Sequence, residues 1–171
     1  MKIDNFFKLV IALVVSEVAG IIGAFFMTPS IAGWYAGIVK PALNPPAWVF
    51  GPVWTTLFLL MGVSAWLVWK QWDNGSPSTK LRVKIALTIF IGQLVLNTLW
   101  SITFFGSTSL TINGLNNIGI ALVEIVFLWL AILATIVAFH KISRPAAWLL
   151  APYILWVSFA GFLNYSIWIL N

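Results

Sequence analysis

The segment WYAGIVKPALNPPAWVFGPVWTTLF, residues 34–58, leads from a proline-rich stretch into a long apolar run. It contains three tryptophans, four prolines and one lysine. A helix that only crosses a bilayer needs about 20 apolar residues and no such density of tryptophan and proline. The segment therefore predicts a membrane-spanning helix that is preceded by a structured loop with a further role.

The composition of the whole chain supports a membrane location. Of its 171 residues, 61% are hydrophobic and only 8% are charged, and the mean hydropathy is +1.02. A soluble domain of this size cannot bury so much apolar surface, so membrane lipids must be partners of the chain. The absence of cysteine excludes disulfides, thiolate metal sites and cysteine nucleophiles.

Five apolar runs are long enough to cross about 30 Å of hydrocarbon as helices. They lie near residues 6–27, 46–69, 83–105, 114–139 and 146–169. The prediction is an all-α membrane protein with one domain, residues 1–171, built as a five-transmembrane-helix bundle. Residues 28–45 form the predicted outer loop, called the lid loop. The first run is expected to be a retained helix, because Glu17 interrupts it and no signal-peptide cleavage site follows.

The basic residues predict the orientation of the bundle, since cytoplasmic loops carry an excess of lysine and arginine. Eight of the nine basic residues fall on one side, namely Lys2, Lys8, Lys70, Lys80, Arg82, Lys84, Lys141 and Arg144. Lys40 alone falls on the other side, in the lid loop. We expect a cytoplasmic N terminus in a prokaryotic inner or plasma membrane. Because topology explains the net charge of +5, no nucleic-acid partner is expected.

Polar, small and aromatic side chains share one helix face on three of the spans. They are Trp54 and Phe58 on the second span, Gln93, Asn97, Trp100, Ser101 and Phe104 on the third, and Tyr153, Trp156, Ala160 and Asn164 on the fifth. Polar groups at membrane depth usually face protein or a cavity. Together these faces predict a cavity with aromatic walls and a few orienting amides, suited to a flat apolar ligand.

Packing is the alternative interpretation for several of these residues. Hydrogen bonds between membrane helices average about 0.6 kcal/mol, and this role is as plausible for Gln93 and Ser101 as ligand binding. The fourth span aligns Asn113, Asn117 and Glu124. Glu17 and Glu124 are expected to be packing residues, protonated or hydrogen-bonded, rather than a proton relay. The small residues Gly20, Gly23 and Ala24 favour close helix packing.

Three blocks of the sequence resemble a known family. They are WYAGIVKPALNPPAWVFGPVWTTLFLLMGVSAWLVWK (34–70), GQLVLNTLWSITFFG (92–106) and PYILWVSFAGFLNYSIWILN (152–171). In the same order and spacing they are similar to the tryptophan-rich sensory protein and translocator protein (TspO/MBR) family, also called the peripheral benzodiazepine receptor. The resemblance implies a five-helix bundle, a homodimer, and binding of porphyrins and related tetrapyrroles. In some members it implies binding of sterols and synthetic aromatic drugs as well.

Position by position, the resemblance places a ligand site on residues of the lid loop and of three spans. These are Trp34, Tyr35, Pro46, Trp54, Asn97, Trp100, Trp156, Ala160 and Asn164, and Phe58, Phe104 and Tyr153 complete the faces derived from spacing. No cofactor and no metal are expected. The single histidine, His140, lies near the cytoplasmic end of the fourth span, so haem iron would need Tyr35 or Tyr153 as a ligand.

Three functions remain open at this point. The first is a receptor or sensor that binds tetrapyrroles. The second is an enzyme that degrades protoporphyrin in light, which the resemblance to some bacterial members would assign to Trp54 and Trp156. The third is a tetrapyrrole or lipid transporter, although no internal repeat is visible. A dedicated sterol carrier is disfavoured, because Leu163 and Tyr165 are not followed by the basic residue of the cholesterol motif.

Overall fold

Five long helices make up most of the chain, and all five are long and apolar enough to cross a membrane. A computed structural model describes residues 4–171, so Lys2 lies outside the described residues. The helices are α1 (Asn5–Ala32), α2 (Trp34–Gly37), α3 (Ala47–Trp69), α4 (Pro77–Ser101), α5 (Asn117–His140), α6 (Arg144–Leu149) and α7 (Ala151–Leu170). The prediction of an all-α, five-helix membrane bundle is confirmed, with α1, α3, α4, α5 and α7 as the spans.

The first helix is longer than the apolar run that predicts it. It continues through Pro29 to Ala32, and the lid loop observed between α1 and α3 is shortened to residues 33–46, with α2 inside it. A proline removes only one backbone donor. Because Pro29 lies so close to the end of the helix, few helical hydrogen bonds are affected. The Thr28 hydroxyl also donates a hydrogen bond of 2.8 Å to the Ala24 carbonyl across this turn.

A small hairpin separates α4 from α5. After Ser101 the chain forms one π-helical turn, Ile102–Gly106, and then two short antiparallel strands, β1 (Thr111–Ile112) and β2 (Leu115–Asn116). Asn113 and Gly114 connect the strands with φ angles of 49° and 81°, the positive values that a two-residue hairpin turn requires. The predicted alignment of Asn113 with Asn117 and Glu124 on one helix is therefore wrong, since α5 begins after the hairpin.

Helices α1 and α3 touch backbone to backbone at Gly62. A Cβ atom at this position would lie 2.8 Å from Cα of Leu13 and 3.1 Å from the Ala12 carbonyl oxygen. Any larger residue would force the helices apart. The contact lies in the half of the bundle where α1 begins. Further along α1, a Cβ atom at Gly20 would instead meet the ring of Phe58 on α3.

The two ends of the bundle are closed by different contacts. At the end where α1 starts, Lys8 forms an ion pair with Asp73 from the α3–α4 connection. At the opposite end, the side chain of Asn171 accepts a hydrogen bond of 2.9 Å from the Val39 amide and donates one of 2.9 Å to the Val39 carbonyl. We call these the N-terminal end and the lid end. The C terminus is thus held against the lid loop.

Candidate functional site

A cavity of about 150 Å³ lies in the lid half of the bundle, between α1, α3, α4 and α7. Six aromatic rings contribute to its wall. The rings are Phe50, Trp54 and Phe58 from α3, Trp100 from α4, Phe105 from the π turn and Trp156 from α7. Asn97, Ser101, Thr55 and Glu17 add polar atoms to this wall. Such a composition suits a flat apolar molecule with a few polar groups.

Six of the residues that the sequence analysis assigns to the ligand site line this cavity. They are Trp54, Phe58, Asn97, Trp100, Trp156 and Ala160. The rings of Trp54 and Phe58 are stacked, with centroids 5.7 Å apart and planes inclined by 29°, and Trp156 meets Phe50 edge-on at 6.1 Å. The wall therefore offers ring faces at more than one angle. Ala160 is the smallest side chain that α7 contributes, and it leaves space beside Trp156.

Two further predicted residues, Tyr153 and Asn164, are buried behind the cavity wall. The Tyr153 hydroxyl donates to Oε1 of Gln93 at 2.8 Å and accepts from Nδ2 of Asn97 at 3.0 Å. Asn164 accepts from the indole of Trp100 at 3.1 Å and donates to the Ile118 carbonyl at 2.9 Å. Both residues hold wall residues in place. Gln93, with 1% of its surface exposed, serves the same network.

The predicted residues nearest the lid end stand one layer above the cavity. Trp34 meets Phe104 edge-on at 5.7 Å, and Tyr35 lies 5.6 Å from the ring of Phe105, which itself lines the cavity. Pro46 is the exposed N-cap of α3. Trp34, Tyr35, Pro46 and Phe104 thus do not line the cavity, although Tyr35 contacts its wall residue Phe105.

Tyr35 is the polar anchor of the lid loop. Its hydroxyl donates a hydrogen bond of 2.8 Å to Oδ1 of Asn44, and the Lys40 ammonium lies 5.0 Å from the centre of its ring. Burial raises the pKa of Tyr35 above its usual value. The neutral hydroxyl is therefore the form that fits the folded lid loop.

Helix α1 supplies a wall of the cavity that the sequence analysis assigned only to packing. Gly20, Gly23 and Ala24 line the cavity together with Ile21 and Met27. A Cβ at Gly20 would lie 2.4 Å from the ring of Phe58, and one at Gly23 would lie 3.0 Å from the Ser101 hydroxyl. The small residues let α1 close over the rings of α3 and α4. A small-residue stripe alone does not distinguish this role from ordinary helix packing.

Two polar atoms in the cavity wall have no hydrogen-bond partner. They are Nε1 of Trp156, a donor, and Oε1 of Glu17, an acceptor, and both are inaccessible to solvent. Buried polar atoms are normally paired, so an unpaired atom on a residue that lines a cavity is a natural partner for a ligand atom. Two wall residues thus carry one unpaired donor and one unpaired acceptor.

The cavity is open at its side. Ile21 on α1, and Gly51 and Thr55 on α3, belong both to the cavity wall and to the exposed surface of the bundle. A Cβ atom at Gly51 would meet no atom within 4 Å. The gap between α1 and α3 is therefore a mouth, which faces lipid because both helices are membrane spans.

The described residues contain no cluster of three or more metal-ligating side chains. His140 is the last residue of α5, at the N-terminal end of the bundle and away from the cavity. The hydroxyls of Tyr35 and Tyr153 are both engaged in hydrogen bonds, and neither residue lines the cavity.

Comparison with known proteins agrees with the resemblance found in the sequence. The profile of the TspO/MBR family matches residues 11–169. The chain is 44% identical over 153 residues to the Tryptophan-rich protein TspO of Chlorobaculum tepidum, covering 89% of this chain and 88% of that protein. It is 40% identical over 169 residues to the protein of the same name from Archaeoglobus fulgidus, and the match covers 98% of this chain and 99% of that protein. It is 38% identical over 147 residues to the human Translocator protein, and the match covers 86% of this chain and 80% of that protein.

Proposed function

We propose, since this chain belongs to the TspO/MBR family, that it is an integral membrane receptor or sensor that binds a porphyrin or a related tetrapyrrole inside the bundle. The observation that carries the proposal is the cavity among α1, α3, α4 and α7, with six aromatic rings in its wall. A flat conjugated ligand can stack on these rings while Asn97 and the free Trp156 N–H orient it. Sterols and synthetic aromatic drugs are further ligands to be tested.

The indoles of Trp54, Trp100 and Trp156 supply the main contacts in this proposal. Each well-placed aromatic pair contributes about 0.5–1.5 kcal/mol beyond the burial of area. Trp100 is held by Asn164, so its orientation is set before the ligand arrives. A preorganised wall of this kind lowers the entropic cost of binding.

A tetrapyrrole requires more room than the cavity of about 150 Å³ offers, because drug-sized ligands occupy pockets of about 300–1,000 Å³. The mouth between α1 and α3 is where the cavity can widen, since Ile21, Gly51 and Thr55 border it on the exposed side. Binding would then displace α1 or the lid loop. Such a displacement is a means by which a sensor could signal occupancy.

Saturation binding tests the proposal directly. Protein in nanodiscs is titrated with protoporphyrin IX while tryptophan fluorescence is recorded, and cholesterol and a phospholipid serve as comparison ligands. We expect saturable quenching by the porphyrin, with a stoichiometry of one per chain. Quenching that rises linearly with porphyrin concentration, as it does for free tryptophan octyl ester in the same nanodiscs, would contradict a specific site.

Light-dependent degradation of the bound porphyrin is the second candidate function. Trp54 and Trp156 both line the cavity, and the indole N–H of Trp156 is unpaired, so two oxidisable side chains would contact the ligand. Porphyrin consumption is compared in light and in darkness, with and without protein. Porphyrin consumption that the protein accelerates in light but not in darkness would establish an enzyme. Equal consumption with and without protein would favour a receptor.

Transport of a tetrapyrrole or a lipid is the third alternative, and the human relative is named Translocator protein. Flux of labelled porphyrin into protein-containing liposomes tests it. Movement across the bilayer that exceeds the rate in empty liposomes would favour a transporter over a receptor.

The orientation and the assembly of the protein are also proposed. The excess of basic residues supports an orientation with the N-terminal end in the cytoplasm and the lid end outside, in a prokaryotic inner or plasma membrane. Cysteine labelling at Asn5 and Asn171 tests this, because the parent chain has no cysteine. The homodimer implied by the family is tested by light scattering of the purified protein.

A further inference from the structure

We propose that Glu17 is a ligand-recognition residue, whose carboxyl group accepts a hydrogen bond from an N–H group at the edge of an aromatic ligand in the cavity. This inference rests on the cavity being the ligand site, as proposed above. It adds a selection rule that the aromatic wall does not supply. Rings alone bind flat molecules whatever heteroatoms these carry, whereas an acceptor in the wall favours those with an N–H at their periphery.

The position of Glu17 is the first argument. It lies on α1 and lines the same cavity as Trp54 and Trp156. Its Oε1 atom is buried and has no hydrogen-bond partner. Leaving a buried acceptor unpaired is unfavourable, and a ligand donor at that point would remove the penalty.

The surroundings of Glu17 are the second argument. Among the described residues the ion pair found is that of Lys8 with Asp73, at the N-terminal end. Within residues 4–171 no basic side chain lines the cavity, so no lysine or arginine of this part of the chain neutralises the carboxyl group from the wall. An internal partner would have made Glu17 a packing residue, as the sequence analysis expects. The structure instead leaves Oε1 of Glu17 without a hydrogen-bond partner, on a residue that lines the cavity.

The chemistry of a carboxyl group defines the ligand class. Its carbonyl-type oxygen accepts a hydrogen bond whether the group is ionised or protonated, so the requirement is a donor on the ligand. The N–H groups of a porphyrin point to the centre of the macrocycle, whereas those of an open-chain tetrapyrrole, a lactam or an indole-like heterocycle lie at the edge. The free N–H of Trp156 can meet an acceptor on the same ligand. We therefore assign the preference to aromatic nitrogen heterocycles with an edge N–H.

The test compares indole with benzofuran, which are flat two-ring molecules of nearly equal shape, of which only indole carries an N–H. Both suit a cavity of about 150 Å³, a volume in which an engineered apolar cavity binds benzene. Protein in nanodiscs is dialysed to equilibrium against each compound, and empty nanodiscs of the same lipid correct for partition. The measured quantity is the ratio of the two affinities.

We expect the parent protein to bind indole about tenfold more tightly than benzofuran, which corresponds to roughly 1.4 kcal/mol. Glu17→Leu should bring the ratio close to one, and Glu17→Gln, which keeps a carbonyl acceptor, should give an intermediate ratio. Glu124→Leu is the matched control, because Glu124 is a carboxyl group in a membrane span that does not line the cavity. It should retain the tenfold preference.

A second measurement on the parent protein covers the case in which Glu17→Leu does not fold. The infrared carboxyl band that Glu17→Gln removes should shift when indole is added and stay in place when benzofuran is added. An equal affinity ratio in the parent and in Glu17→Leu, or a band that indole does not move, would overturn the proposal. Protoporphyrin titrations are run in parallel. If porphyrin binds while the parent binds indole and benzofuran equally tightly, only the proposed role of Glu17 is refuted. If neither porphyrin nor the two-ring compounds bind, the proposed function is refuted as well.

Discussion

The indole N–H of Trp100 donates a hydrogen bond of 3.1 Å to Oδ1 of Asn164 and thereby links α4 to α7 behind the cavity. The amide of Asn164 extends the link to α5 through the Ile118 carbonyl, at 2.9 Å. Only 1% of the Asn164 surface is exposed, so its polar atoms are occupied by protein. Asn164 therefore positions a wall residue and does not touch the cavity itself.

The first prediction concerns this link. Asn164→Leu keeps the volume of the side chain but leaves the Trp100 N–H and the Ile118 carbonyl unpaired. We expect a loss of about 1–3 kcal/mol in the free energy of unfolding, measured as a lower Tm in a fixed detergent. Tyr165→Phe on the exposed face of the same helix is the control and should leave Tm nearly unchanged. Equal Tm values for Asn164→Leu and the parent would show that the link carries no stability.

The contact between α1 and α3 gives the second prediction. Gly62→Ala places a Cβ atom 2.8 Å from Cα of Leu13, so the helices must separate. We expect a destabilisation of about 1–3 kcal/mol. Gly92→Ala is the matched control, because a Cβ there meets no atom within 4 Å. In a helix it should stabilise by about 0.5–1 kcal/mol. A Gly62→Ala protein as stable as Gly92→Ala would contradict the close approach of the two backbones.

The raised pKa of Tyr35 gives the third prediction. A raised pKa means that folding favours the neutral hydroxyl, so its contribution to stability is complete below the usual tyrosine pKa of about 10 and is lost as pH rises through the folded value. At pH 7 the free energy of unfolding of the parent should exceed that of Tyr35→Phe by about 1 kcal/mol, which is the contribution of the hydrogen bond to Asn44. The difference in Tm between the two proteins should shrink above about pH 10. A difference that stays constant to pH 11 would refute the assignment, and Tyr165→Phe, at an exposed tyrosine, provides the comparison.

The spans could be predicted from the length of the apolar runs, and the inward faces could be predicted from the helical spacing of polar, small and aromatic residues. Asn97 and Asn164 both lie on inward faces, as their spacing predicts. Spacing cannot say whether an inward amide meets a ligand or another helix, because that depends on partners distant in the chain. Asn97 reaches the cavity, whereas Asn164 is occupied by Trp100 and Ile118.

The role of α1 was missed for a similar reason. Gly20 and Gly23 predict close packing, and they do pack against Phe58 and Ser101, but the cavity that results depends on where α1 and α3 diverge. The start of α5 was placed too early because strand β2 has only two residues, Leu115 and Asn116, and directly precedes the helix. The Asn-Gly pair was the available signal for the hairpin, since both residues readily adopt positive φ.

The fourth prediction concerns the two indoles at the cavity, Trp54 and Trp156. Replacement by phenylalanine keeps most of the ring area and removes the oxidisable indole with its N–H. We expect Trp54→Phe and Trp156→Phe each to weaken porphyrin binding by about tenfold or less, since one decade is about 1.4 kcal/mol. If the protein degrades its ligand, either change should abolish turnover in light while most of the binding remains. Variants that bind and turn over porphyrin like the parent would remove both indoles from the site.

The most direct test of ligand binding inside the bundle is the porphyrin affinity of Ala160→Phe. Ala160 lines the cavity beside Trp156, so a phenyl ring at this position occupies the space that a ligand ring would use. Ile169→Phe adds a ring on the lipid-facing side of the same helix, where 60% of the side chain is exposed, and serves as the matched control. Protoporphyrin IX titrations of both variants in nanodiscs, with Tm measured to confirm folding, should show affinity reduced by about tenfold or more in Ala160→Phe and unchanged in Ile169→Phe. Equal affinity in Ala160→Phe and the parent would place the ligand outside the cavity.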